Sequence, residues 1–305
     1  MPFGTIISNS TTAAVNTPSV QNFWAFCVER ENIRLRKELG NPPPWTEDKI
    51  LQEYHFCNIK REYDYGTRWY LNWVAVAPDK LDLLWKTILY RTVNNVIWFE
   101  QIGGVFGWRE WKNRSEDIVD YIEHAPPPYT PAHITLQSPD GKTRREHLYE
   151  QLYWLSEGLE DLAAQVYGAS SLKAVWEHLK NVPYVGPFIA LQIFRDLLLA
   201  KALPFSEDDF TYLGPGCRQG LLMIFPDIKN YRQQYAVLQE IQRLHPEELE
   251  LNLGDMEHSM CEARKYWKLS QGGGRHRHYQ PHLAPIGALA AVGSSTPSGA
   301  LEASQ

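Results

Sequence analysis

Cysteine is scarce in this sequence and is never paired at a short spacing. The four cysteines among 305 residues are Cys27, Cys57, Cys217 and Cys261, and no two of them form a C-x-x-C pair. The spacing therefore predicts no metal site, neither for zinc nor for an iron–sulfur cluster. Sparse, unpaired cysteines also favour a reduced, intracellular protein, which would be nuclear if the source is eukaryotic.

Long apolar runs and an excess of positive charge are lacking too. No apolar stretch is long enough to cross a membrane, and the N-terminus has no charged segment followed by an apolar one. We therefore expect no membrane partner and no secretory signal. The net charge of −6 argues against a protein that coats nucleic acid through its overall charge, although it permits a few local phosphate contacts.

A complete phosphate-binding loop is also absent from the sequence. Gly141, Lys142 and Thr143 match the end of the G-x-x-x-x-G-K-[ST] pattern, but Leu136 stands where the first glycine is required. No strand pattern precedes the segment, although such a loop follows a strand. We therefore predict that the chain has no ATP cofactor of its own and is not a self-contained kinase.

The sequence is rich, by contrast, in apolar and aromatic side chains at helical spacing. Apolar residues make up 44% of the chain and aromatic residues 12%, including 11 tryptophans, which is enough for a sizeable core and for stacking on bases. Small and polar residues dominate both ends. We predict an all-α fold, with a single helical domain over 19–269 between disordered tails at 1–18 and 270–305.

Charged residues interrupt the apolar faces of the first two predicted helices. In the helix predicted at 20–39, Arg30 and Arg34 lie within the apolar arc. In the pattern over 46–68, Asn58, Arg61 and Asp64 continue an apolar stripe. Such residues either pair with buried acids, extend from the edge of the core to solvent, or line a polar cleft. Two such helices together favour the cleft.

A proline- and glycine-rich turn at 182–187 separates two further helical patterns. Pro183 and Pro187 lack the backbone N–H that a continuous helix needs, and Gly186 permits a positive φ. The second helix would begin with unpaired backbone N–H groups, which bind phosphate together with the helix dipole. We therefore expect Val182, Tyr184 and Gly186 to contact a DNA backbone. The alternative is an ordinary helical hairpin.

A second glycine-rich turn, Gly214-Pro215-Gly216, precedes another short helix. Glycine lets a backbone approach a phosphate or base closely, and Arg218 would lie in the first turn of that helix. The last amphipathic helix, at 255–268, has a polar side that includes Glu262 and Lys265. This side either faces solvent or forms a second wall of the cleft.

The turn at 182–187 resembles the helix-hairpin-helix of DNA glycosylases, which reads roughly Leu-Pro-Gly-Val-Gly. Tyr184 stands here in place of the first glycine of that motif. Those enzymes carry a catalytic aspartate some way beyond the second glycine, and Asp208 and Asp209 follow Gly186 at a similar distance. The resemblance implies that one of these two acids is catalytic.

Five blocks of sequence, spread over 23–268, resemble one particular family. The blocks are Phe23-Trp24-x-Phe26-x-x-Glu29-Arg30-x-x-Ile33-x-x-Arg36, Pro44-Trp45-Thr46-x-Asp48-x-Ile50-Leu51, Phe56-Cys57-Asn58-Ile59-x-Arg61-Glu62-x-Asp64-x-x-Thr67, Leu213-Gly214-Pro215-Gly216-Cys217-Arg218-x-Gly220-Leu221 and Asp255-Met256-Glu257-His258-x-x-Cys261-Glu262-x-x-Lys265-Tyr266. They look like the helical domain of 5-hydroxymethyluracil (5-hmdU) DNA kinases, grouped with the α-glutamyl/putrescinyl-thymine pyrophosphorylases. That family is regarded as an all-α relative of the helix-hairpin-helix glycosylases.

The resemblance implies group transfer at the 5-substituent of 5-hydroxymethyluracil, or a role as the helical partner of a separate kinase, with DNA containing a modified pyrimidine as the partner. Two other functions stay open: a non-catalytic reader that brings a separate kinase or oxygenase to modified DNA, and a glycosylase that excises the base. The acids expected in catalysis are Asp209, Asp208, Glu62 and Asp64. The residues expected to hold phosphate or substrate are Arg30, Arg34, Arg61, Arg218, Asn58, Gly214 and Gly216.

Overall fold

The computed structural model describes residues 17–128, 136, 139–274 and 278, and within them the chain is all-helical, as predicted, with no β-strand. The predicted tails at 1–18 and 270–305 lie mostly outside the described residues. A 3₁₀ turn, Arg61–Tyr63, lies between the second and third helices. The twelve α-helices of the described part are α1 (Pro18–Glu38), α2 (Lys49–Glu53), α3 (Tyr65–Val74), α4 (Lys80–Val93), α5 (Val96–Gln101), α6 (Trp108–His124), α7 (Arg144–Tyr167), α8 (Leu172–Leu179), α9 (Pro187–Leu199), α10 (Pro215–Ile224), α11 (Tyr231–Arg243) and α12 (Leu253–Ser270).

The helices surround two separate apolar cores. The first lies among α3–α9 and contains the largest fully buried rings, those of Trp85, Trp98 and Trp111. The second lies among α1, α2 and α10–α12, where Met256 and Met260 are 0% exposed. Burial of one such side chain contributes about 1.5–3 kcal/mol to the free energy of folding. The first and last helices of the described chain therefore pack together, and the middle of the chain forms the other core.

One long predicted helix is divided in two. The pattern over 79–101 predicts a single helix, but Asn94 adopts a left-handed conformation with φ of +51° and ends α4. The side chain of Asn95 then accepts a hydrogen bond from the N–H of Trp98 at 3.2 Å and caps α5. Asparagine tolerates both positions better than most residues, so the break follows from the local sequence.

The prediction of one helix over 46–68 is also wrong, because α2 ends at Glu53. The chain continues without regular structure to the 3₁₀ turn, and α3 begins at Tyr65. In between, the N–H of Asn58 donates to Oδ1 of Asp64 at 2.9 Å, and the Asn58 side chain donates to the carbonyl of Tyr63 at 2.9 Å. Such local side-chain bonds offer the backbone an alternative to a helix. We call residues 57–64 the Cys57 loop.

The turn at 182–187 joins α8 and α9 as a helical hairpin. The positive φ falls at Tyr184 (+63°) and not at Gly186, whose φ is −74°. The conformation that favours glycine thus occurs where the resembled motif has its first glycine. Tyr184 stacks on His147 of α7 with ring centroids 4.5 Å apart, and Gln151 donates to the carbonyl of Pro183 at 2.5 Å. These contacts fix the turn against the first core.

Candidate functional site

A network of buried charges lies at the border between the two cores. Asp196 of α9 is 0% exposed and accepts hydrogen bonds from Arg61 at 3.0 Å and from Arg91 of α4 at 2.7 Å. Arg61 also donates to Gln192 of α9. Burial and the charge of Arg91 lower the pKa of Arg61 to about 10, so its guanidinium stays charged at neutral pH. Arg61 therefore connects the chain after α2 to the first core.

Arg195, the neighbour of Asp196 on α9, connects the same helix to the second core. It is 1% exposed, and it donates to Glu207 at 2.6 Å and to Asp255 of α12 at 2.8 Å. Asp255 also accepts the backbone N–H of Arg61 at 3.4 Å, which joins the two halves of the network. Removal of one member of a buried pair is strongly destabilising because it leaves its partner charged and unpaired. Of the three alternatives given for such charged residues, Arg61 therefore follows the first: it pairs with a buried acid.

A second group of polar residues lies where the Cys57 loop meets α12, and its members are only half-buried. The N–H of Cys57 donates to Glu262 of α12 at 2.9 Å, and Lys265 lies 2.7 Å from the same carboxylate oxygen. Asp64 and His258 lie beside Cys57, since their polar atoms and Cys57 Sγ are within 4.8 Å of one another. We call Cys57, Asn58, Asp64, His258, Glu262 and Lys265 the loop–helix cluster.

Asp64, His258 and Glu262 of the loop–helix cluster have shifted pKa values. Burial raises the pKa of Asp64 to about 6, although the Asn58 N–H and nearby arginines oppose the shift. Burial lowers the pKa of His258 to about 3, which makes its imidazole neutral. Burial also raises the pKa of Glu262, but the charge of Lys265 and its hydrogen bond more than offset this, so the net shift is downward. The cluster thus presents one firmly ionised, paired acid and one neutral imidazole.

Arg30 holds the start of the Cys57 loop through hydrogen bonds to the backbone. It is 5% exposed, and its Nη2 donates to the carbonyls of Phe56 at 3.0 Å and Cys57 at 3.1 Å. Its guanidinium lies 5.9 Å from the centre of the Phe56 ring. Nζ of Lys265, which belongs to α12, lies 4.4 Å from the same ring centre. Of the predicted site residues, the structure therefore gathers Arg30, Asn58, Asp64, Glu262 and Lys265 at the loop–helix cluster, with Arg61 beside it in the buried network.

Three other predicted site residues are not members of the loop–helix cluster, although Glu62 belongs to the Cys57 loop and Arg34 contacts it. Arg34 pairs with Glu31 and Glu38 of its own helix and stacks on the ring of Tyr63 at 4.0 Å. Glu62 is exposed. Arg218 is exposed and donates to Gln234 at 2.9 Å. The two Arg34 pairs lie within one helix at the i,i+3 and i,i+4 spacings, whereas the Arg218 bond joins α10 to the buried Gln234 of α11.

The acidic pair at 208–209 lies in an exposed turn. Asp208 accepts hydrogen bonds from the backbone N–H of Leu253 at 2.8 Å and from Gln242 at 2.7 Å, and so fastens the start of α12 to α11. Asp209 accepts the backbone N–H of Ser206 at 2.8 Å. The catalytic role expected of either acid stays a prediction.

The predicted glycines and hairpin residues have distinct surroundings. Gly214 is buried, and its N–H donates to Glu257 of α12 at 3.0 Å. A Cβ on Gly216 would overlap Sγ of Cys261, so these glycines let α10 approach α12 closely. In the hairpin, Val182 is 2% exposed, whereas Gly186 is exposed.

Several residues of the site were not predicted from the sequence: Arg91, Arg195, Asp196, Asp255, Cys57 and His258. A signal existed for one pair, because Arg195 and Asp196 interrupt the otherwise apolar helix α9. Cys57, Asp255 and His258 lie within the family blocks given above, and His258 is also on the polar side of the last predicted helix, but no role was assigned to them. Arg91 had no comparable signal, since its partner Asp196 is distant in the chain. Among the described residues, no helix is long and apolar enough to cross a membrane.

Comparison with known proteins identifies a family that the sequence of this chain matches. Residues 17–274 match the family described as "5-hmdU DNA kinase, helical domain". A curated relative, the 5-hmdU DNA kinase of Bacillus phage SP10, is 26% identical over 276 residues, which cover 79% of this chain and 43% of the relative. The chain therefore spans less than half the length of that relative. No solved structure matches this chain. The match over most of the chain shows that this protein belongs to the family of 5-hmdU DNA kinase helical domains.

Proposed function

We propose that the chain acts in the modification of 5-hydroxymethyluracil in DNA, as the part that engages the DNA and holds the modified base. The name of the phage relative supports a role with this base. Because the chain aligns with 43% of that relative and residues 1–305 contain no complete phosphate-binding loop, we assign the kinase chemistry to residues other than these. Group transfer would then take place at the 5-hydroxymethyl group of the base that the chain presents.

The loop–helix cluster is the observation that carries this proposal. Its polar groups are half-buried where the Cys57 loop meets α12, and fixed partners hold them, so they combine partial exposure with defined positions. A base inside a duplex cannot be reached, so a protein that acts on it takes up a flipped nucleotide in a pocket, and we propose that the residues of this cluster line that pocket. Asn58 and Asp64 offer hydrogen bonds for the base, and Lys265 offers a positive charge for its phosphate.

The hairpin at 182–187 is the proposed contact to the DNA backbone. Gly186 caps α9 without a side-chain hydrogen bond, and the cap is exposed. The positive end of a helix dipole together with backbone N–H groups favours a phosphate at such a position. Phosphate contacts there would position the duplex, while the cluster would read the modified base.

The test uses duplexes that differ only in thymine or 5-hydroxymethyluracil at one position. We expect about five- to tenfold tighter binding to the hydroxymethyl duplex, the value of one added hydrogen bond. Nucleoside mass spectrometry, with and without ATP, should show an intact strand of unchanged mass with the chain alone. Release of the free base would identify a glycosylase instead. An ATP-dependent mass increase with the chain alone would place the transfer chemistry in this chain.

Two aspartate variants locate the site. Asp64→Asn should remove most of the discrimination between the two duplexes, because it changes an acceptor within the cluster. Asp209→Asn tests the acid implied by the glycosylase resemblance, and its loss of discrimination would move the site to the 208–209 turn. Asp227→Asn, at another exposed aspartate, is the matched control and should behave as the unaltered chain.

A further inference from the structure

Three side chains with metal-binding atoms converge where the Cys57 loop meets α12. Sγ of Cys57, a carboxylate oxygen of Asp64 and an imidazole nitrogen of His258 all lie within 4.8 Å of one another. Atoms that bind one zinc ion lie about 3–4 Å apart, given metal–ligand distances near 2.0–2.3 Å. Small side-chain rotations are therefore enough to bring the three atoms to coordination distance.

His258 supplies an independent observation. Its Nε2 is buried and has no hydrogen-bond partner in the described part of the chain. Buried polar atoms in folded proteins are nearly always satisfied, so an exception points to a missing partner such as an ion. We take Nε2 as the nitrogen that faces Cys57 and Asp64, and a cation between the three residues would be that partner.

The surrounding residues hold two of the three ligands in place. The N–H of Asn58 fixes Oδ1 of Asp64 at 2.9 Å, and Arg30 fixes the carbonyl of Cys57 at 3.1 Å. Hydrogen bonds of this kind orient metal ligands and are part of most metal sites. The ligands also lie on elements that pack together, since Cys57 N–H reaches Glu262 of α12, 205 residues away, at 2.9 Å.

The charges balance as well. Cys57 as thiolate and Asp64 as carboxylate would contribute two negative charges, which a divalent cation neutralises, and binding would release the thiol proton to solvent. Glu262 adds no further unpaired charge, because Lys265 lies 2.7 Å from its carboxylate. One sulfur, one oxygen and one nitrogen form a ligand set that suits Zn²⁺ better than Mg²⁺ or Ca²⁺.

We propose that Cys57, Asp64 and His258 bind one Zn²⁺ ion in the loop–helix cluster. Three protein ligands leave one tetrahedral position open to water or to a ligand oxygen, which is the arrangement of catalytic zinc sites rather than structural ones. The cysteine spacing predicted no metal because that criterion needs ligands close together in sequence. The inference goes beyond the proposed function and does not depend on the substrate.

Metal content of the purified full chain tests the site without DNA. We expect about one zinc per chain by elemental mass spectrometry. After the zinc is removed with a chelator, titration with Co²⁺ should produce a sulfur-to-cobalt charge-transfer band and the visible bands of four-coordinate cobalt. A chain that contains no zinc and gives no cobalt bands would overturn the proposal.

Variants identify the ligands. Cys57→Ser should abolish the charge-transfer band, and both Cys57→Ser and His258→Gln should weaken Co²⁺ binding by about 100-fold or more. Cys261→Ser, at another half-buried cysteine, is the matched control and should keep the band. Circular dichroism checks that each variant is helical, and His258→Gln serves if Cys57→Ser does not fold. A band that survives Cys57→Ser would refute the assignment. Because no DNA is present, these results are independent of the duplex-binding test.

Discussion

The two turns that start α9 and α10 share a local sequence but have opposite surroundings. Each has glycine at the cap and proline at the first helical position, as Gly186-Pro187 and Gly214-Pro215. Gly186 is exposed, and a Cβ added to it would contact nothing within 4 Å. Gly214 is buried, and a Cβ added to it would lie 2.9 Å from the carboxylate of Glu257.

The difference shows that a glycine–proline turn does not identify a phosphate site by itself. In the second turn, the N–H of Gly214 is already bound to Glu257 at 3.0 Å, so an acid of the protein takes the place that an anion would need. In the first turn, the cap residue Gly186 is exposed. The same sequence pattern therefore serves close packing in one turn and leaves an accessible helix end in the other.

The largest expected effect comes from the second turn. Gly216→Ala places a Cβ against Sγ of Cys261, so we expect the free energy of unfolding to fall by about 1–3 kcal/mol. Urea unfolding followed by circular dichroism measures the change. Gly186→Ala is the matched control and should change stability by less than about 1 kcal/mol, since its Cβ meets no atom.

A second substitution shows whether Cys261 causes the loss. Cys261→Ala removes the sulfur, so the double variant with Gly216→Ala should recover about half of the lost stability or more, as a double-mutant cycle resolves. Equal losses in the single and double variants would mean that the sulfur of Cys261 is not the atom that excludes a side chain at position 216.

An intermediate effect is expected at the first turn. Gly186→Asp provides a better helix cap, so stability should rise by a few tenths of a kcal/mol. The added negative charge should nonetheless weaken binding to duplex DNA by about threefold at low salt, because it lies where we propose a phosphate. Fluorescence anisotropy at increasing salt measures the effect, which should shrink as the charge is screened.

Gly186→Asn is the control for charge, since asparagine has the same shape and capping ability without the negative charge. It should bind DNA like the unaltered chain. If Asp and Asn weaken binding equally, the side chain acts by its bulk, and the phosphate contact lies elsewhere on the hairpin.

Much of the fold could be predicted because apolar spacing is strong in most helices. Helix α1 and helix α12 were predicted within a few residues of their observed ends. Helix α11 had no prediction, because its buried face includes Gln234 and Glu240, which a hydrophobic pattern does not register. The 46–68 pattern failed for the opposite reason: polar bonds within the Cys57 loop overrode an apolar stripe.

The candidate site could be predicted in part. Arg61 and Asp64 were recognised as charges in apolar positions, and that is a local property of the sequence. Their partners depend on how α4, α9 and α12 pack, and residues far apart in the chain give no spacing to recognise. Arg61 therefore has Asp196 as its partner, which local reasoning could not have chosen among 36 acidic residues.

The smallest expected effect is a pH dependence that belongs to the first turn and not to the second. His147 stacks beneath Tyr184, and its two ring nitrogens bond the Leu136 carbonyl at 2.7 Å and Asp140 at 2.9 Å. Burial lowers the pKa of His147, but these two acceptors and the charge of Glu150 outweigh it, so the net shift is upward from the ordinary value of 6.5.

A raised histidine pKa stabilises the folded state fully at pH values below 6.5, and the contribution is lost as pH rises through the raised value. The free energy of unfolding should therefore fall as pH rises above 6.5, by a small amount because solvent screens the exposed Asp140. In His147→Gln this part of the pH slope should disappear. If the slope is the same in both proteins, the charge of His147 does not stabilise the hairpin.

Hydrogen exchange can distinguish the two turns, because the loss of protection with rising pH should appear at 182–187 and not at 214–216.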